Sequence, residues 1–380
     1  FIMINETLYV IMKKALLITR HAVPNYGSLL QTVATTELFK TCGVEMVVLD
    51  YVPEMEKPEN LYIPMMQKYK HNKIKRMLYA ILRKPDFQHM GNSFRRYEHD
   101  MLSLTQEYNS LESLENQAFD EYDFFVTGSD QVWGPIALSE YDPAFFWSFL
   151  STEKKRIGYS ASFGRIDFGK ETRLKMSEFL KKYIAITVRE NSAVELLTGM
   201  GIGNVQQVLD PVLMLTKNEW QKYMGDKTVV QGRYILVYQV HDNPKMNQYA
   251  KKIAKVLNLK LVRVSNSYIH IIRGGEFCYL PSPADFLRLF ADAQFVLTNS
   301  FHATVFSLIF NKPFAVVDSG TTNTRIDSLL KLVHQERRQI KDFNDFSQTS
   351  EAIDFDEVNK LLSAYREHSL AVVKDIVNKI

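Results

Sequence analysis

The chain has 380 residues, of which 46% are hydrophobic and 23% charged, and its 46 Lys and Arg against 43 Asp and Glu give a formal net charge of +3. This composition excludes a disordered chain, which would contain fewer apolar residues, and a protein that coats nucleic acid, which would be far more basic. The two cysteines, Cys42 and Cys278, are far apart in sequence, which predicts neither a disulfide framework nor a cysteine zinc site and favours the reducing cytoplasm.

The first predicted domain covers residues 12–225 and opens with a β-α-β unit. Strand Ala15–Thr19 leads into helix Ser28–Thr41, and strand Met46–Leu49 follows. A more charged and less regular stretch at about 55–120 is interpreted as a helical insertion. Four further strands are predicted at Phe124–Thr127, Ile157–Ser160, Ala185–Val188 and Val205–Val208.

The second predicted domain covers residues 226–380 and repeats the alternation of strands and helices. Its elements are predicted at Tyr234–Val237 (strand), Lys245–Leu257 (helix), Lys260–Val264 (strand), Phe295–Thr298 (strand), His302–Phe310 (helix) and Phe314–Val317 (strand), with one or two surface helices over 356–380. Two such series predict an α/β fold with two doubly wound Rossmann-like domains that face each other across a cleft. Ligands of these sheets bind at the carboxyl ends of the strands, so we expect the site in the loops that follow them.

The loop after the first strand contains Asn25 and Gly27 just before a helix. Gly27 permits a close backbone approach, and the free N–H groups of the helix favour an anion or a polar substrate group. The alternatives are a capped turn beside a solvated His21, or a dinucleotide site with Asp50 as the ribose-binding acid. The loop lacks the Gly-x-Gly-x-x-Gly spacing that a dinucleotide site needs.

A second loop, Gly128 to Trp133, directly follows strand Phe124–Thr127. Asp130 and Gln131 can bond to sugar hydroxyls while the indole of Trp133 packs on a sugar ring, which is typical of sugar recognition. The Gly-Ser-Asp run can also cap the next helix, and the two interpretations are compatible.

Two further candidates follow later strands of the first domain. Arg189 offers a planar fork for a carboxylate or phosphate, or else it forms a rim ion pair with Glu190. Asp210, before Pro211, either begins a turn or accepts a hydrogen bond from a ligand.

His302 is predicted at the start of a helix immediately after a strand. The helix dipole at that position favours a neutral imidazole until a bound anion restores the proton, which suits a general acid, although a capping or packed histidine also fits. Arg325, in the polar stretch after strand Phe314–Val317, either closes over an anion or anchors the next helix.

The segment 68–96 concentrates nine Lys and Arg residues, and apolar residues recur within it at helical spacing: Ile74, Met77, Leu78, Ile81 and Leu82. Such a helix packs on its own domain, which is the preferred interpretation, or rests on anionic lipid. We therefore expect a cytoplasmic protein, with peripheral contact at the inner face of the membrane as the alternative. No nucleic-acid motif accompanies the charge, so no nucleic-acid partner is expected.

Four motifs, in this order, resemble the polysaccharide pyruvyl transferase family: Gly128 to Trp133, Arg189 to Ser192, Asp210-Pro211 and Ser300 to Ser307. The resemblance covers about Lys14 to Val333. It implies a GT-B-like fold and transfer of a pyruvyl group from phosphoenolpyruvate to a sugar of a cell-surface polysaccharide precursor, commonly as a ketal that joins two hydroxyls. It implies no cofactor and no metal, and the acceptor is a sugar or a lipid-linked saccharide.

The resemblance implies that His302 is the catalytic histidine and that Arg189 binds the donor. Better characterised members carry arginine at the donor-binding position that is Ser300 in this chain, so either Arg325 or another arginine supplies that donor contact, or this chain does related chemistry with a different donor. Asp130 is expected to assist a sugar hydroxyl in catalysis. The residues assigned to the acceptor are Asn25, Gly27, Gln131, Trp133 and Asp210. A nucleotide-sugar glycosyltransferase and a non-catalytic carbohydrate-binding protein on the same fold are the alternatives.

Overall fold

The computed structural model describes residues 12–66, 71–136, 139–318 and 324–380. These residues form two six-stranded sheets with helices packed around each sheet. Lys68 and Lys70 of the basic segment lie outside the described residues. Across the described ranges, every helix is too short or too polar to cross a membrane.

The first sheet is parallel throughout. Its strands are β1 Lys13–Ile18, β2 Val44–Val48, β3 Phe124–Thr127, β4 Arg156–Ala161, β5 Tyr183–Val188 and β6 Val205–Gln207. They lie in the order β2-β1-β3-β4-β5-β6. All residues of β3 and β4 are buried, as expected for a parallel sheet that helices cover on both faces.

The second sheet is also parallel. Its strands are β7 Tyr234–Tyr238, β8 Lys260–Ser265, β9 Glu276–Tyr279, β10 Phe295–Thr298, β11 Phe314–Val317 and β12 Gln339–Ile340. They lie in the order β12-β11-β10-β7-β8-β9. The two sheets confirm the predicted α/β fold with two Rossmann-like domains. The strands β9 and β12 were not predicted, because they are short and only partly buried.

The helices occupy the connections between strands. Those between β1 and β7 are α1 Tyr26–Thr41, α2 Ile63–Met66, α3 Lys73–Met101, α4 Leu111–Glu115, α5 Lys170–Leu180, α6 Asn191–Gly199, α7 Pro211–Met214 and α8 Lys217–Gln221. Those after β7 are α9 Pro244–Val256, α10 Pro283–Asp292, α11 Phe301–Ile309, α12 Thr324–Leu332, α13 Ser347–Ser350 and α14 Phe355–Lys379. Four 3₁₀ helices are described at Glu54–Glu56, Pro143–Phe146, Tyr268–Arg273 and Glu336–Arg338.

Helix α1 begins two residues before its predicted start. The Asn25 side chain accepts a hydrogen bond from the Gly27 N–H at 2.8 Å and caps the helix. Asn25 therefore fulfils the capping role that the sequence left open. The predicted helix over 356–380 is a single helix, α14, of 25 residues.

Helix α3, in the insertion between β2 and β3, has two different halves. Its C-terminal half packs into the core through Phe94 and Tyr97, and the Phe94 ring lies 5.0 Å from the ring of Tyr26. Its N-terminal half carries exposed apolar side chains, including Ile74 and Leu82. The preferred expectation, that this helix packs on its own domain, is therefore wrong for the N-terminal half.

Helix α14, assigned to the second domain from the sequence, returns to the first domain. The Ser369 hydroxyl accepts a hydrogen bond from the Leu209 N–H at 3.0 Å, and the Lys13 ammonium donates to the Val377 carbonyl at 2.7 Å. Val373 and Val377 are buried in the core cluster that includes residues of the first sheet. The last helix thus covers a surface of the first domain.

Each sheet has one point where the strand order reverses. In the first sheet this point lies between β1 and β3, and in the second it lies between β7 and β10. In open α/β sheets the crevice for a ligand forms at the carboxyl ends of the two strands that flank such a point. The fold therefore directs attention to the loops that follow β1, β3, β7 and β10.

Candidate active site

The loops after β1, β3, β7 and β10 meet around one cavity of about 220 Å³ between the two domains. The residues that line it are Arg20, Val23, Asn25, Ser28, Asp130, Gln131, Val240, His241, Asn299, Ser300, Phe301, His302, Arg325 and Ile326. Six of the sequence-predicted residues are among them: Asn25, Asp130, Gln131, Ser300, His302 and Arg325. Both switch points of the fold thus contribute to the same cavity.

His302 lies in the first turn of α11, which Ser300 caps by accepting a hydrogen bond from the Ala303 N–H. The Nε2 atom of His302 lies 3.7 Å from a carboxylate oxygen of Asp210. This atom is buried and has no hydrogen-bond partner among the described residues. It therefore has an ion-pair neighbour in Asp210 but no hydrogen bond that a ligand would have to displace.

Gly27 does not line the cavity. Its backbone instead leaves space for the imidazole of His302. A Cβ atom at Gly27 would lie 2.0 Å from the Nδ1 atom of His302, which is far inside van der Waals contact. The expected acceptor contact at Gly27 is therefore wrong. The close backbone approach that the sequence predicted is present, but it accommodates a side chain of the other domain.

The Arg189 side chain is buried, at 1% exposed, and it forms ion pairs with several carboxylates. Its Nη1 donates to Asp210 at 2.8 Å, and its Nη2 donates to Asp130 at 3.2 Å. Its Nε lies 3.5 Å from a carboxylate oxygen of Glu190. The rim ion pair is therefore wrong, and the expected donor contact is not available while these carboxylates occupy the guanidinium.

Asp130 and Asp210 are both ionised in this arrangement. Burial alone would raise the pKa of Asp130, but the charges of Arg189, His302 and Arg325 outweigh burial and hold the pKa well below its usual value. Burial likewise opposes the charge on Asp210, and its neighbours His302 and Arg189 nevertheless lower its pKa. Such acidic carboxylates are poor proton acceptors, which disfavours Asp130 as a catalytic base.

Arg325 lies in the first turn of α12 and faces the ring of Phe301. Its guanidinium carbon is 5.8 Å from the ring centre, and that of Arg189 is 5.1 Å from the same ring. With its amide oxygen turned toward Arg325, Gln131 accepts hydrogen bonds from both terminal nitrogens at 2.7 and 3.0 Å. Burial and the charge of Arg189 lower the pKa of Arg325 to about 10, so it remains cationic at neutral pH.

Arg20, His241 and Asn299 are among the cavity residues that sequence reasoning missed. Arg20 pairs with Glu56 and also donates to the Pro135 carbonyl. His241 follows β7, and the Asn299 side chain fixes its backbone by donating to its carbonyl at 2.8 Å. Burial and the charge of Arg325 lower the pKa of His241, which favours the neutral imidazole. Each of these residues lies in a loop that follows a predicted strand, and this position was the signal that could have identified them.

Trp133 does not face the cavity, so the predicted sugar contact is wrong. Its side chain is fully buried and its indole N–H donates to the Phe145 carbonyl at 3.3 Å. The ring packs between Phe146 and Phe163, with centroid distances of 5.9 and 5.4 Å. The aromatic residue that follows the polar loop anchors that loop to the core.

His21 and Asp50 belong to a separate buried cluster, so neither the solvated histidine nor the ribose-binding acid is correct. His21 Nε2 lies 3.1 Å from Asp50, and Arg95 donates to both oxygens of Asp50 at 2.9 and 2.7 Å. Arg95 also donates to Glu98 at 2.5 Å. Burial raises the pKa of Glu98 to about 7, although the charges of His21 and Arg95 oppose it.

Asp210 borders a second cavity, of about 470 Å³, which also contains Arg189 and shares Phe301 and Arg325 with the first. Asp210 caps α7 by accepting a hydrogen bond from the Val212 N–H at 2.9 Å. The turn that the sequence favoured at Asp210 is therefore present. No group of three His, Cys, Asp or Glu side chains within the described residues is arranged to hold a metal ion.

The family model for polysaccharide pyruvyl transferase matches residues 25–321. Among solved structures, the chain is similar to the MnaA–UDP co-structure from S. aureus, with 13% identity, a TM-score of 0.53, and coverage of 97% of this chain and 98% of that chain. It is also similar to the UDP-GlcNAc 2-epimerase from Methanocaldococcus jannaschii, with 10% identity, a TM-score of 0.50, and coverage of 93% and 92%. At these identities the likeness shows a shared two-domain fold. A search of curated proteins found no match.

Proposed function

This chain belongs to the polysaccharide pyruvyl transferase family, and we propose that it transfers a pyruvyl group from phosphoenolpyruvate to two hydroxyls of a sugar, forming a ketal. The acceptor is a sugar of a cell-surface polysaccharide precursor. The two free cysteines, Cys42 and Cys278, agree with a reducing cytoplasm as the place of the reaction.

The observation that carries this proposal is the buried Nε2 of His302, which has no hydrogen-bond partner among the described residues, at the edge of a cation-lined cavity. The ionised carboxylate of Asp210 lies 3.7 Å from that atom. A protonated imidazole that faces an anion site is a suitable general acid.

The chemistry requires such an acid. His302 gives its proton to the methylene carbon of phosphoenolpyruvate, which becomes the methyl group and leaves the enol ether carbon electrophilic. One sugar hydroxyl adds to that carbon, phosphate leaves, and the second hydroxyl adds in its place. Of the two hydroxyl protons released, one restores the proton that His302 donated and the other departs with phosphate. The products are one ketal and one inorganic phosphate.

Two arginines that line the cavity, Arg20 and Arg325, suit the phosphate and carboxylate of the donor. Better characterised family members have an arginine where this chain has Ser300, whose side chain caps α11. Arg20 and Arg325 would therefore make the donor contact that this arginine makes in the family. The cavity of about 220 Å³ favours a compact donor over a nucleotide sugar, since sites for larger ligands measure roughly 300–1,000 Å³.

Arg189 has a positioning role in this proposal. It bridges Asp130, in the loop after β3, and Asp210 beside His302, so it fixes two carboxylates around the acid. Ser28 donates to the second oxygen of Asp130 at 2.7 Å and completes the arrangement. Asn25 and Gln131 remain the candidates for contact with the acceptor.

The test is a thermal-shift titration with phosphoenolpyruvate beside uridine and guanosine diphosphates, followed by phosphate release with a panel of sugars. Phosphoenolpyruvate should raise the melting temperature because it binds the folded state only. The Arg20→Ala and Arg325→Ala variants should lose this shift, and Arg337→Ala, at an exposed arginine outside the cavity, should keep it. Stabilisation by the nucleotides alone would instead identify a glycosyltransferase, and sugar binding without turnover a carbohydrate-binding protein.

A further inference from the structure

We propose that the N-terminal half of α3 and the 3₁₀ helix Tyr268–Arg273 form one face that binds an anionic lipid bilayer. We call it the docking face, and its apolar residues are Ile74, Met77, Leu78, Ile81 and Leu82 of α3, with Tyr268, Ile269, Ile271 and Ile272 of the 3₁₀ helix. The binding of lipid is independent of the proposed reaction. That the acceptor is lipid-linked rests on the proposed function.

The apolar side chains of the docking face are turned to solvent. In α3, Ile74 is 70% exposed and Leu82 is 73% exposed, and in the 3₁₀ helix Ile272 is 82% exposed. Counted from Ile74, the other α3 residues lie three, four, seven and eight positions along the chain, which places them on one side of the helix. These residues do not serve the core, unlike Phe94 and Tyr97 farther along the same helix.

The charge beside this apolar stripe is positive. Lys73, Lys75 and Arg76 are exposed, and the sequence from His71 to Pro85 contains no Asp or Glu. Interfaces between proteins are poor in lysine, whereas helices that lie on a bilayer combine Leu and Ile with Lys and Arg. The complementary partner is therefore an anionic headgroup surface with an apolar interior.

The two parts of the docking face are fixed to each other through Asp86 of α3. Its carboxylate accepts hydrogen bonds from the Ser267 hydroxyl at 2.9 Å, the Tyr268 N–H at 3.2 Å and the Tyr279 hydroxyl at 2.8 Å. Asp86 comes one helical turn after Leu82. These hydrogen bonds hold the two elements next to each other, although one element comes from each domain.

The docking face lies beside the cavity. The side chain of Asn266, two residues before Tyr268, donates to the Pro24 carbonyl at 3.1 Å. Pro24 is followed by Asn25, which lines the cavity. A bilayer bound at the docking face would therefore hold a lipid-linked saccharide near the site of transfer.

The experiment is co-sedimentation of the full chain with vesicles of phosphatidylcholine alone and of phosphatidylcholine with phosphatidylglycerol, without any substrate. We expect binding to the anionic vesicles that weakens with salt. The Leu78→Gln/Leu82→Gln variant should have a vesicle partition coefficient that is lower by roughly tenfold or more, because two apolar side chains that would be buried in the bilayer are lost. The Lys75→Glu/Arg76→Glu variant should weaken binding to anionic vesicles by at least about tenfold.

The matched control is Leu174→Gln/Ile184→Gln, since these residues are similarly exposed, at 58% and 53%, and lie on other elements. It should bind vesicles as the wild type does. No binding to anionic vesicles, or equal loss in the control, would overturn the proposal. Light scattering tests whether a second copy of the chain covers this face instead. A wild-type dimer that is absent in the Leu78→Gln/Leu82→Gln variant would also overturn the proposal and identify a second copy as the partner. Phosphate release with a soluble sugar should be unaffected by the α3 variants, so failure here is distinct from failure of the proposed function.

Discussion

The imidazole of His302 rests on the backbone of Gly27, with its Nδ1 atom 2.0 Å from where a Cβ of residue 27 would lie. Gly27 belongs to α1 of the first domain and His302 to α11 of the second. Because Gly27 has no side chain, the imidazole of His302, the candidate acid, can occupy this position across the cleft.

Gly27→Ala should lower turnover with little effect on folding. The added methyl group must displace the imidazole, and a shift of about 1 Å in a reacting group can reduce the rate by roughly 10²-fold. Phosphate release and circular dichroism check this expectation. Gly199→Ala is the control, because a Cβ there meets nothing within 4 Å. Full activity of the Gly27 variant would contradict the packing described.

His302→Gln should keep the melting temperature and lower the chemical rate by about 10²–10⁴, the usual contribution of a positioned acid. The measurement is single-turnover phosphate release beside a thermal melt. His334→Gln, which changes an exposed histidine paired with Glu357, should leave both quantities unchanged. A His302 variant that loses stability but retains turnover would remove this residue from the mechanism.

Arg189→Lys should lower both stability and activity, because an ammonium cannot bridge Asp130 and Asp210 as the guanidinium does. A buried carboxylate left without its ion-pair partner costs about 3–5 kcal/mol of unfolding free energy. Urea denaturation measures this loss. The matched control is Arg165→Lys, since Arg165 is 44% exposed beside Asp167 and such surface pairs contribute little. Equal stability of both variants would contradict the central role of Arg189.

Glu98→Gln should change how stability depends on pH. The folded-state pKa of Glu98 is raised to about 7, above an unfolded value of about 4.3, so the folded state holds an extra proton between these values. The wild type should therefore lose stability as pH rises through this window, and the loss is complete above about pH 7. In the Glu98→Gln variant, the amide oxygen can still accept a hydrogen bond from Arg95, but the negative charge is removed.

Thermal melts of the wild type and Glu98→Gln across this pH range measure the effect. The two should agree near the acid end, and the variant should be the more stable at neutral and alkaline pH. Glu112→Gln, at an exposed glutamate of α4, should follow the wild type at every pH. A variant that is less stable than the wild type above pH 7 would show that the Glu98 charge contributes favourably.

The sequence predicted where the site lies better than what its side chains do. Buried apolar runs mark the strands, and the rule that ligands bind after strands then points to the loops with Asn25, Asp130 and His302. The rule applies equally to the loop after β7, and attention to it would have included His241. Position follows from topology, and topology follows from patterns of adjacent residues.

The roles of Arg189 and Trp133 could not be read in the same way. A buried arginine and a donor-binding arginine look alike in sequence, and the difference depends on Asp130 and Asp210, which lie 59 and 21 residues away. A tryptophan after a polar loop is equally compatible with a sugar platform and a core anchor. Only the tertiary arrangement shows that Phe146 and Phe163 pack against the indole.

The return of α14 to the first domain has a consequence for synthesis of the protein. The hydrogen bond from Lys13 to Val377 joins residues 364 positions apart, so the first strand meets this partner only when the last residues have been translated. The first domain emerges from the ribosome with the apolar surface that Val373 and Val377 later cover still open to solvent. Vectorial folding of this chain therefore leaves its N-terminal half incomplete until α14 has been synthesised, and removal of α14 would expose that surface permanently.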